Sequence, residues 1–435
     1  MKVAIIGTGY VGLTTGVCLA DIGHEVFCVD NDPQKLEILK EGRSPIYEPG
    51  MEELLKKNCE NGRLSFSSEI APAAKEAEVI FICVNTPTKK DGMAELKFVE
   101  KAAKEIALAV GSGHKIIVDK STVPVKTAEK VKDTIHRYGN ESTCCEVISN
   151  PEFLKEGSAI RDTMEPDRIV IGSDSEKATG IMKKLYGPIV ERTGAPVRVV
   201  SVRSAELIKH GANTFLSIKI SYANLIAQVC EEAKADALEV LEAIGLDERI
   251  GKEFLNPGIG FGGSCFPKDI AAFKKTMEIL GVDNTMIKAV EEVNENAWKR
   301  FVSRVEKELW VLDGKTIGIL GLAFKPDTDD LRNAPALKIA EELIQQGAAI
   351  KAYDPQAMDK AKGVLPEILY CEDPYMAAEG AEALLVCTEW PEFRGIDMSA
   401  IKEKMLVPLI FDGRNVFDKE KVKQLGMKYF GIGRR

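Results

Sequence analysis

Residues 2–12 read Lys-Val-Ala-Ile-Ile-Gly-Thr-Gly-Tyr-Val-Gly, a short apolar run that breaks into glycines at positions 7, 9 and 12. The run reads as a buried strand (Val3–Ile6), and the residues after it open a helix. In Gly7-Thr8-Gly9-Tyr10-Val11-Gly12 the first glycine permits a tight turn. The second lets the backbone approach a pyrophosphate, and the third lets helix and strand pack closely. The phosphates then sit at the helix N-terminus, where unpaired N–H groups and the helix dipole favour negative charge. The next strand, Glu25–Val29, stops at Asp30. A carboxylate there binds the ribose 2′-hydroxyl of NAD and repels the 2′-phosphate of NADP. The alternative is a glycine-rich turn that holds no ligand.

Outward from this unit the pattern repeats. Val79–Val84, Lys115–Asp119 and Glu146–Ser149 read as further buried strands separated by amphipathic helices, which implies a parallel sheet covered on both faces. Two polar loops follow apolar strands, Val84-Asn85-Thr86-Pro87-Thr88 and Ser121-Thr122-Val123-Pro124. They lie where ligands bind in open α/β sheets, although Pro and Ser/Thr also punctuate plain turns. From about Ser204 to Ala243 the composition is that of one long helix or a pair, fit to link domains or to form a dimer seam. Gly245–Lys268 reads as a loop, and helix resumes from Asp269 to about Leu312. Lys315–Leu320, Ala334–Gln346 and Ala349–Tyr353 then restart the α/β pattern. Gln346–Gln356 (QGAAIKAYDPQ) parallels Ile22–Asp32 (IGHEVFCVDND), each running through a Gly into a strand that stops at Asp. The fold class expected is α/β, with two Rossmann-like doubly wound domains joined by a central helical domain.

Composition narrows the function. At 435 residues the chain exceeds one ordinary core. A formal net charge of −9 supplies no positive field for nucleic acid. The ten Cys form no CxxC and the four His no HExxH, so no metal is expected and the thiols read as reduced and cytoplasmic. Glycines interrupt the apolar N-terminus as they would not in a signal peptide, and no apolar run approaches the ~18 residues of a membrane span.

The most distinctive segment is Gly258-Ile259-Gly260-Phe261-Gly262-Gly263-Ser264-Cys265-Phe266-Pro267-Lys268-Asp269. Glycine allows close approach of backbone to ligand. A Cys near a helix start and beside a Lys gains thiolate character, as a covalent nucleophile requires. Cys18, Cys28, Cys83, Cys230 and Cys387 lie in apolar surroundings and read as small buried hydrophobes.

FLNPGIGFGGSCFPKD (254–269) resembles the active-site motif of the UDP-glucose 6-dehydrogenases, within the UDP-glucose/GDP-mannose dehydrogenase family. GTGYVG, VNTPT, STVP, NPEFLKEG (150–157), GLAFKPDTDDLR (321–332) and DGRN (412–415) are similar to that family's other signatures, in its order and over nearly the whole chain. The resemblance implies residues 1–200 as an NAD-binding domain, 201–300 as a helical dimerisation domain and 301–435 as a nucleotide-sugar-binding domain, with chemistry in the cleft. It implies oxidation of the UDP-glucose C6 alcohol by two successive hydride transfers to NAD, through a Cys265 thiohemiacetal and thioester. Lys209 and Asn213 match donors to the developing oxyanion, although an i, i+4 polar pair is otherwise a solvated helix face. Asp269 matches a proton-handling carboxylate, or serves as a helix cap. Glu152 and Thr122 resemble residues positioning the hydrolytic water. Phe153, Leu154, Lys155, Phe254, Leu255, Asn256, Pro257, Gly258, Gly262, Lys325 and Arg414 match positions around the nucleotide sugar. Arg249 matches an Arg given to a neighbouring subunit, implying a homodimer with a shared site. Glu156 and Arg332 match residues near NAD. Lys35 stands where many relatives carry Arg, preserving charge without the planar fork. Rival readings are a GDP-mannose or UDP-N-acetylhexosamine enzyme of the same chemistry, a non-catalytic nucleotide-sugar sensor and a one-step hydroxyacid dehydrogenase.

Overall fold

Val79–Ile82 is buried at all four positions, which only a strand covered on both faces achieves. In the computed structural model, which describes residues 1–89, 91–111, 113–140 and 143–434, it is the fourth strand of a largely parallel sheet. The strands are β1 (Lys2–Ile6), β2 (Glu25–Val29), β3 (Leu64–Ser67), β4 (Val79–Ile82), β5 (Gly113–Asp119), β6 (Thr143–Ser149), β7 (Ile169–Gly172) and β8 (Val197–Val200), in the order β3-β2-β1-β4-β5-β6-β7-β8. The β6–β7 pair alone runs antiparallel. A second sheet holds β9 (Thr316–Leu320), β10 (Ala349–Tyr353), β11 (Leu369–Tyr370), β12 (Ala383–Val386), β13 (Leu409–Asp412) and β14 (Lys428–Gly431), in the order β11-β10-β9-β12-β13-β14. The first six strands of one sheet and all six of the other share one topology, so the parallel between 22–32 and 346–356 is a parallel of fold. Beyond the expected strands lie β3, β7 and β8 in the first sheet and β11, β12, β13 and β14 in the second. Of these, β3 alternates with serine and β8 is an edge strand with no fully buried residue, so both lack an apolar run.

The helices used below are α1 (Tyr10–Asp21), α2 (Thr127–Tyr138), α3 (Val202–Ala233), α4 (Ala237–Gly245), α5 (Phe266–Ile279), α6 (Thr285–Leu309) and α7 (Pro335–Gln345). The expected helical middle is a pair. It breaks at Lys234, held at φ 61°, and restarts where the Asp236 carboxylate caps α4 by accepting from Leu238 N–H. The expected helix 269–312 is also two. Gly281, at φ +70°, ends the first of them, and the first begins earlier than expected, at Phe266 with Pro267 in its opening turn.

Contacts gather the chain into two compact units, Met1–Ala212 with Lys268–Val282 and Asn213–Pro267 with Asp283–Arg435. The core of the first is built on Val3, Ile5, Phe81 and Val118 beneath α1. That of the second is built on Ile317, Ile319, Leu385 and Phe411, with Phe411 stacked on Phe430 at 5.0 Å.

Asp119 ends β5 inside the first unit, 1% exposed. Neither of its carboxyl oxygens is satisfied, because the nearby Ser121 N–H is given to the Ile82 carbonyl at 3.1 Å. Burial, with the Glu206 charge nearby, pushes its pKa well above the usual carboxylate value. Ionisation therefore opposes folding. Stability is lost as pH rises from the unfolded carboxyl value of about 3.9 toward the folded one, and the loss is complete above that. Asp119→Asn has no such titration. The Tm difference, variant minus wild type, is expected to grow with pH in melts from pH 4.5 to 8, and a difference independent of pH would contradict a titrating Asp119.

Candidate active site

In the first unit the glycine turn does what its spacing requires. A Cβ on Gly12 would lie 1.9 Å from the Gly7 carbonyl oxygen, and Gly7 itself takes φ +100°. Gly9 is the N-cap of α1 and offers no side chain to its first-turn N–H groups, leaving them for an anion. A cavity of about 310 Å³ opens there, lined by Gly7, Gly9, Asp30, Lys35, Cys83 and Phe98 among others. The Asp30 carboxylate accepts from Thr8 N–H (2.8 Å), Thr8 Oγ1 (2.7 Å) and Asp32 N–H (3.0 Å), with the Lys35 ammonium at 3.7 Å. Burial works to raise its pKa, but the Thr8 and Asp32 hydrogen bonds outweigh it and hold the group below its ordinary value. Asp30 is thus an anion at the edge of the cavity that opens at the α1 N-terminus. Val11 follows in α1, and the Tyr10 hydroxyl is turned away, donating to Glu48 and accepting from Gly157 N–H at 2.8 Å.

The matching Asp354 at the end of β10 has another use. It is fully buried, accepting from Leu322 N–H (2.7 Å), Ala323 N–H (3.0 Å), Ala357 N–H (2.8 Å) and Trp390 Nε1 (3.1 Å). Equal topology thus yields a cavity-facing carboxylate in one unit and a structural anchor in the other.

The carboxyl edge of the first sheet also gathers polar side chains. Lys209 on α3 places Nζ 2.7 Å from Glu152 Oε1, and both side chains are 5% exposed. Glu152 is oriented by Leu154 N–H at 2.8 Å, and Lys209 lies 5.8 Å from the Phe153 ring centroid, whose face the Arg168 guanidinium covers at 3.8 Å. Glu152, Phe153, Leu154 and Lys155 line a cavity of about 280 Å³ with Lys120 and Arg168. Lys209 and Asn213, 4% and 7% exposed, do not form a solvated face. Asp269, 1% exposed, sits in the first turn of α5 and not at its cap. Lys268 Nζ is 3.2 Å from Asp269 Oδ1 and donates to Thr86 Oγ1 at 3.2 Å, and the Thr86 hydroxyl donates to the Thr122 carbonyl at 2.9 Å. Pro87 continues that loop. Ser121 Oγ donates to the Val84 carbonyl at 2.9 Å, and Glu156 is buried beyond Lys155.

In the second unit the glycine-rich loop is clamped. Asn294 of α6 accepts from Phe261 N–H at 2.7 Å and donates to the Phe261 carbonyl at 3.1 Å. Gly263 N–H donates to the Arg332 carbonyl at 2.8 Å, and a Cβ on Gly262 would stand 2.3 Å from the Asn333 carbonyl oxygen. The loop delivers Cys265 directly before α5, half-buried, its Sγ 3.6 Å from Ser264 Oγ. The five thiols expected to be inert are buried, and burial pushes Cys18, Cys83 and Cys387 up to about 12. Phe266 packs edge-on to Phe261 at 5.7 Å and against Phe254 at 6.3 Å. Leu255, Pro257 and Gly258 are buried and Asn256 is exposed. Gly258 donates its N–H to Asn224 Oδ1 at 2.7 Å and is so close to Arg414 that a Cβ would sit 2.9 Å from Nη1. Arg414 Nε donates to the Cys387 carbonyl at 3.0 Å. Lys325 Nζ lies 5.6 Å from the Phe324 ring centroid. Arg332 grips Asp330 through two bonds of 2.8 Å, and Arg249, 88% exposed, pairs with Asp247.

Three comparisons bear on this arrangement. The NAD binding domain model of the UDP-glucose/GDP-mannose dehydrogenase family matches residues 1–190, its central domain model 203–296 and its UDP binding domain model 318–419. UDP-glucose 6-dehydrogenase TuaD of Bacillus subtilis is 45% identical, covering 100% of this chain and 93% of its own. The chain belongs to the UDP-glucose/GDP-mannose dehydrogenase family. UDP-glucose 6-dehydrogenase of Rhizobium meliloti is 43% identical over the full length of both chains. Among solved structures, a UDP-glucose dehydrogenase from Pyrobaculum islandicum superposes with a TM-score of 0.92 at 38% identity, covering 100% and 98% of the two chains. A UDP-D-ManNAc dehydrogenase from Pyrococcus horikoshii does so at 0.87 and 27%. The fold class and the family's NAD-binding domain expected from the motifs stand confirmed.

Five polar residues that hydrogen-bond to or beside the segments singled out from the sequence escaped that reading: Glu48, Lys120, Glu206 and His210 in the first unit, and Asn294 in the second. Lys120 is 7% exposed, with Nζ 3.3 Å from Asn150 Oδ1, and burial lowers its pKa. The signal open to a reader was its place directly before Ser121-Thr122, inside a loop already singled out. Glu48 and Asn294 carry no such local mark.

Proposed function

We propose that the chain is a UDP-glucose 6-dehydrogenase: UDP-glucose, two NAD⁺ and water give UDP-glucuronate, two NADH and three protons. The observation that carries this reading is the half-buried Cys265 at the end of a clamped glycine loop, in a chain whose full-length relatives bear that name. NAD supplies the hydride acceptor at both oxidations. In the first, C6 loses a hydride and its hydroxyl a proton, giving an aldehyde whose oxygen Lys209 and Asn213 steady. The Cys265 thiolate adds to C6, forming a C–S bond and a thiohemiacetal alkoxide held by the same donors. Loss of the second hydride leaves a thioester. Water, placed by Glu152 and Thr122 and deprotonated with the help of Asp269, adds to C6, and the C–S bond breaks to return the thiolate. Glucose is favoured over other sugars because the solved neighbour named for UDP-glucose is 38% identical, against 27% for the one named for an N-acetylated sugar. Residues 1–200 bind NAD, 201–300 dimerise and 301–435 bind the nucleotide sugar. A panel of nucleotide sugars read by NADH absorbance tests this. About two NADH per UDP-glucose are expected, as successive hydride transfers require, and one per sugar, or preference for GDP-mannose, would overturn the reading.

The enzyme acts as a homodimer. Phe215, Ile218, Tyr222, Leu225 and Val229 recur at three- and four-residue steps along α3, and all but Ile218 are 45–62% exposed. A second copy of the same helix fits this stripe by self-complementarity. Leu225→Glu with Val229→Glu is expected to give a monomer in analytical ultracentrifugation and to lose activity with it. An unchanged sedimentation coefficient would remove α3 as the seam. A reduced cytoplasmic setting accords with ten cysteines that form no disulfide, and no helix among the described residues is long and apolar enough to cross a membrane.

A further inference from the structure

His210 lies one residue beyond Lys209 on α3, 1% exposed, with no place in the reaction as written above. Its Nε2 is 2.8 Å from the Val123 carbonyl oxygen. A carbonyl only accepts, so Nε2 carries the proton and Nδ1 is a bare lone pair, buried without a hydrogen-bond partner. Burial depresses the imidazole pKa, against the Asp269 charge and with the charges of Lys268 and Lys209, and keeps the ring neutral. The ring also stacks on Phe273 of α5, centroids 6.1 Å apart and planes 6° from parallel. His210 therefore touches the Ser121–Pro124 loop and the helix that carries Asp269, from the helix that carries Lys209.

The loop has a second tie to the same helix. Glu206, one turn before His210, accepts from Lys126 N–H at 2.7 Å and Ala128 N–H at 2.9 Å. It thereby caps α2, whose own N-cap position, Lys126 at φ 76°, supplies no side-chain bond. From the other side the Thr122 carbonyl accepts from Thr86. The peptides on both sides of Val123 are thus fixed, and the bond to Val123 is the one made beside Lys209.

We propose that His210 is a positioning residue of the dehydrogenase: its Nε2–H fixes the Val123–Pro124 peptide against α3, so that Thr122, Lys209 and Asp269 are held in one register. The proposal rests on the catalytic reading of those three residues and names what aligns them. A Gln side chain places an amide N–H where His Nε2 stands, whereas Asn reaches only as far as Nδ1. Both variants lose the ring stacked on Phe273, so their difference isolates the bond to Val123. His210→Asn is expected to lower kcat on the order of tenfold, the scale of one lost buried hydrogen bond, with KM for UDP-glucose within about twofold because substrate groups are untouched. It is also expected to speed amide exchange on the order of tenfold in peptides spanning 121–128. His210→Gln is expected to restore both quantities to within about threefold of wild type, at a Tm close to that of the Asn variant. Equal kcat and equal exchange in the two variants would overturn the proposal and reduce His210 to core packing. Exchange is read without substrate, so a wild-type enzyme inactive on every nucleotide sugar would sink the proposed function while the clamp is still decided by the 121–128 peptides.

Discussion

Cys265→Ser is expected to abolish release of UDP-glucuronate, with turnover to free carboxylate falling by a factor of about 10³ or more. The substitution changes one atom at a half-buried position beside Ser264 and disturbs none of the bonds that clamp the loop. What it removes is chemistry. A thiol near neutrality ionises in part and adds to an aldehyde, whereas a serine hydroxyl does not ionise there and its ester resists hydrolysis more than a thioester. No buried thiol of the family fold can stand in, because burial holds Cys83 and Cys387 near 12. Anion-exchange separation of products measures the carboxylate, and intact mass reports any sugar left on the protein. Free carboxylate at the wild-type rate would mean that the oxidation never passes through sulfur.

Lys209→Met is the second large effect, and it acts on stability and rate together. The Lys209–Glu152 pair is 2.7 Å long with both side chains 5% exposed. Removing the ammonium leaves a buried carboxylate uncompensated, which costs about 3–5 kcal/mol. It also deletes the donor proposed for the C6 oxygen, worth on the order of 10²–10³ in kcat. The two consequences separate in the double variant Lys209→Met with Glu152→Gln, which leaves no charge in that pair. Its Tm is expected to recover most of the loss and its kcat none of it. Thermal melts and initial rates on the three proteins give the answer. Wild-type kcat in the single variant would make the pair purely structural.

The glycine turn at 7–12 and the acid at 30 were legible because their chemistry is local. Positive φ, helix packing and the strand-end carboxylate all follow from neighbours within about two dozen residues, the span of one βαβ unit. The helical middle was legible as a type but not in its breaks, since Lys234 at φ 61° carries no glycine to announce it. The short β7 and the edge strand β8 were missed because four-residue strands offer too little period to read. At the site, Cys265 and its glycines were visible as a string. Asn294, which clamps that string, stands 33 residues from Phe261 and looks like any polar residue on an amphipathic helix.

By itself the sequence determined the two doubly wound sheets, the dinucleotide turn and the sulfur that the proposed chemistry needs, because each depends on residues close along the chain. Only the tertiary structure decided which of two matching aspartates faces a cavity. Asp30 is left at the edge of open space, whereas Asp354 is enclosed by Trp390 and the N–H groups of two loops. It also decided that Lys209 is paired and buried instead of solvated, and that Glu206 and His210 grip the loop opposite. A lone side chain has no fixed partner until packing brings a distant backbone to hydrogen-bonding distance and excludes the water that would otherwise take its place.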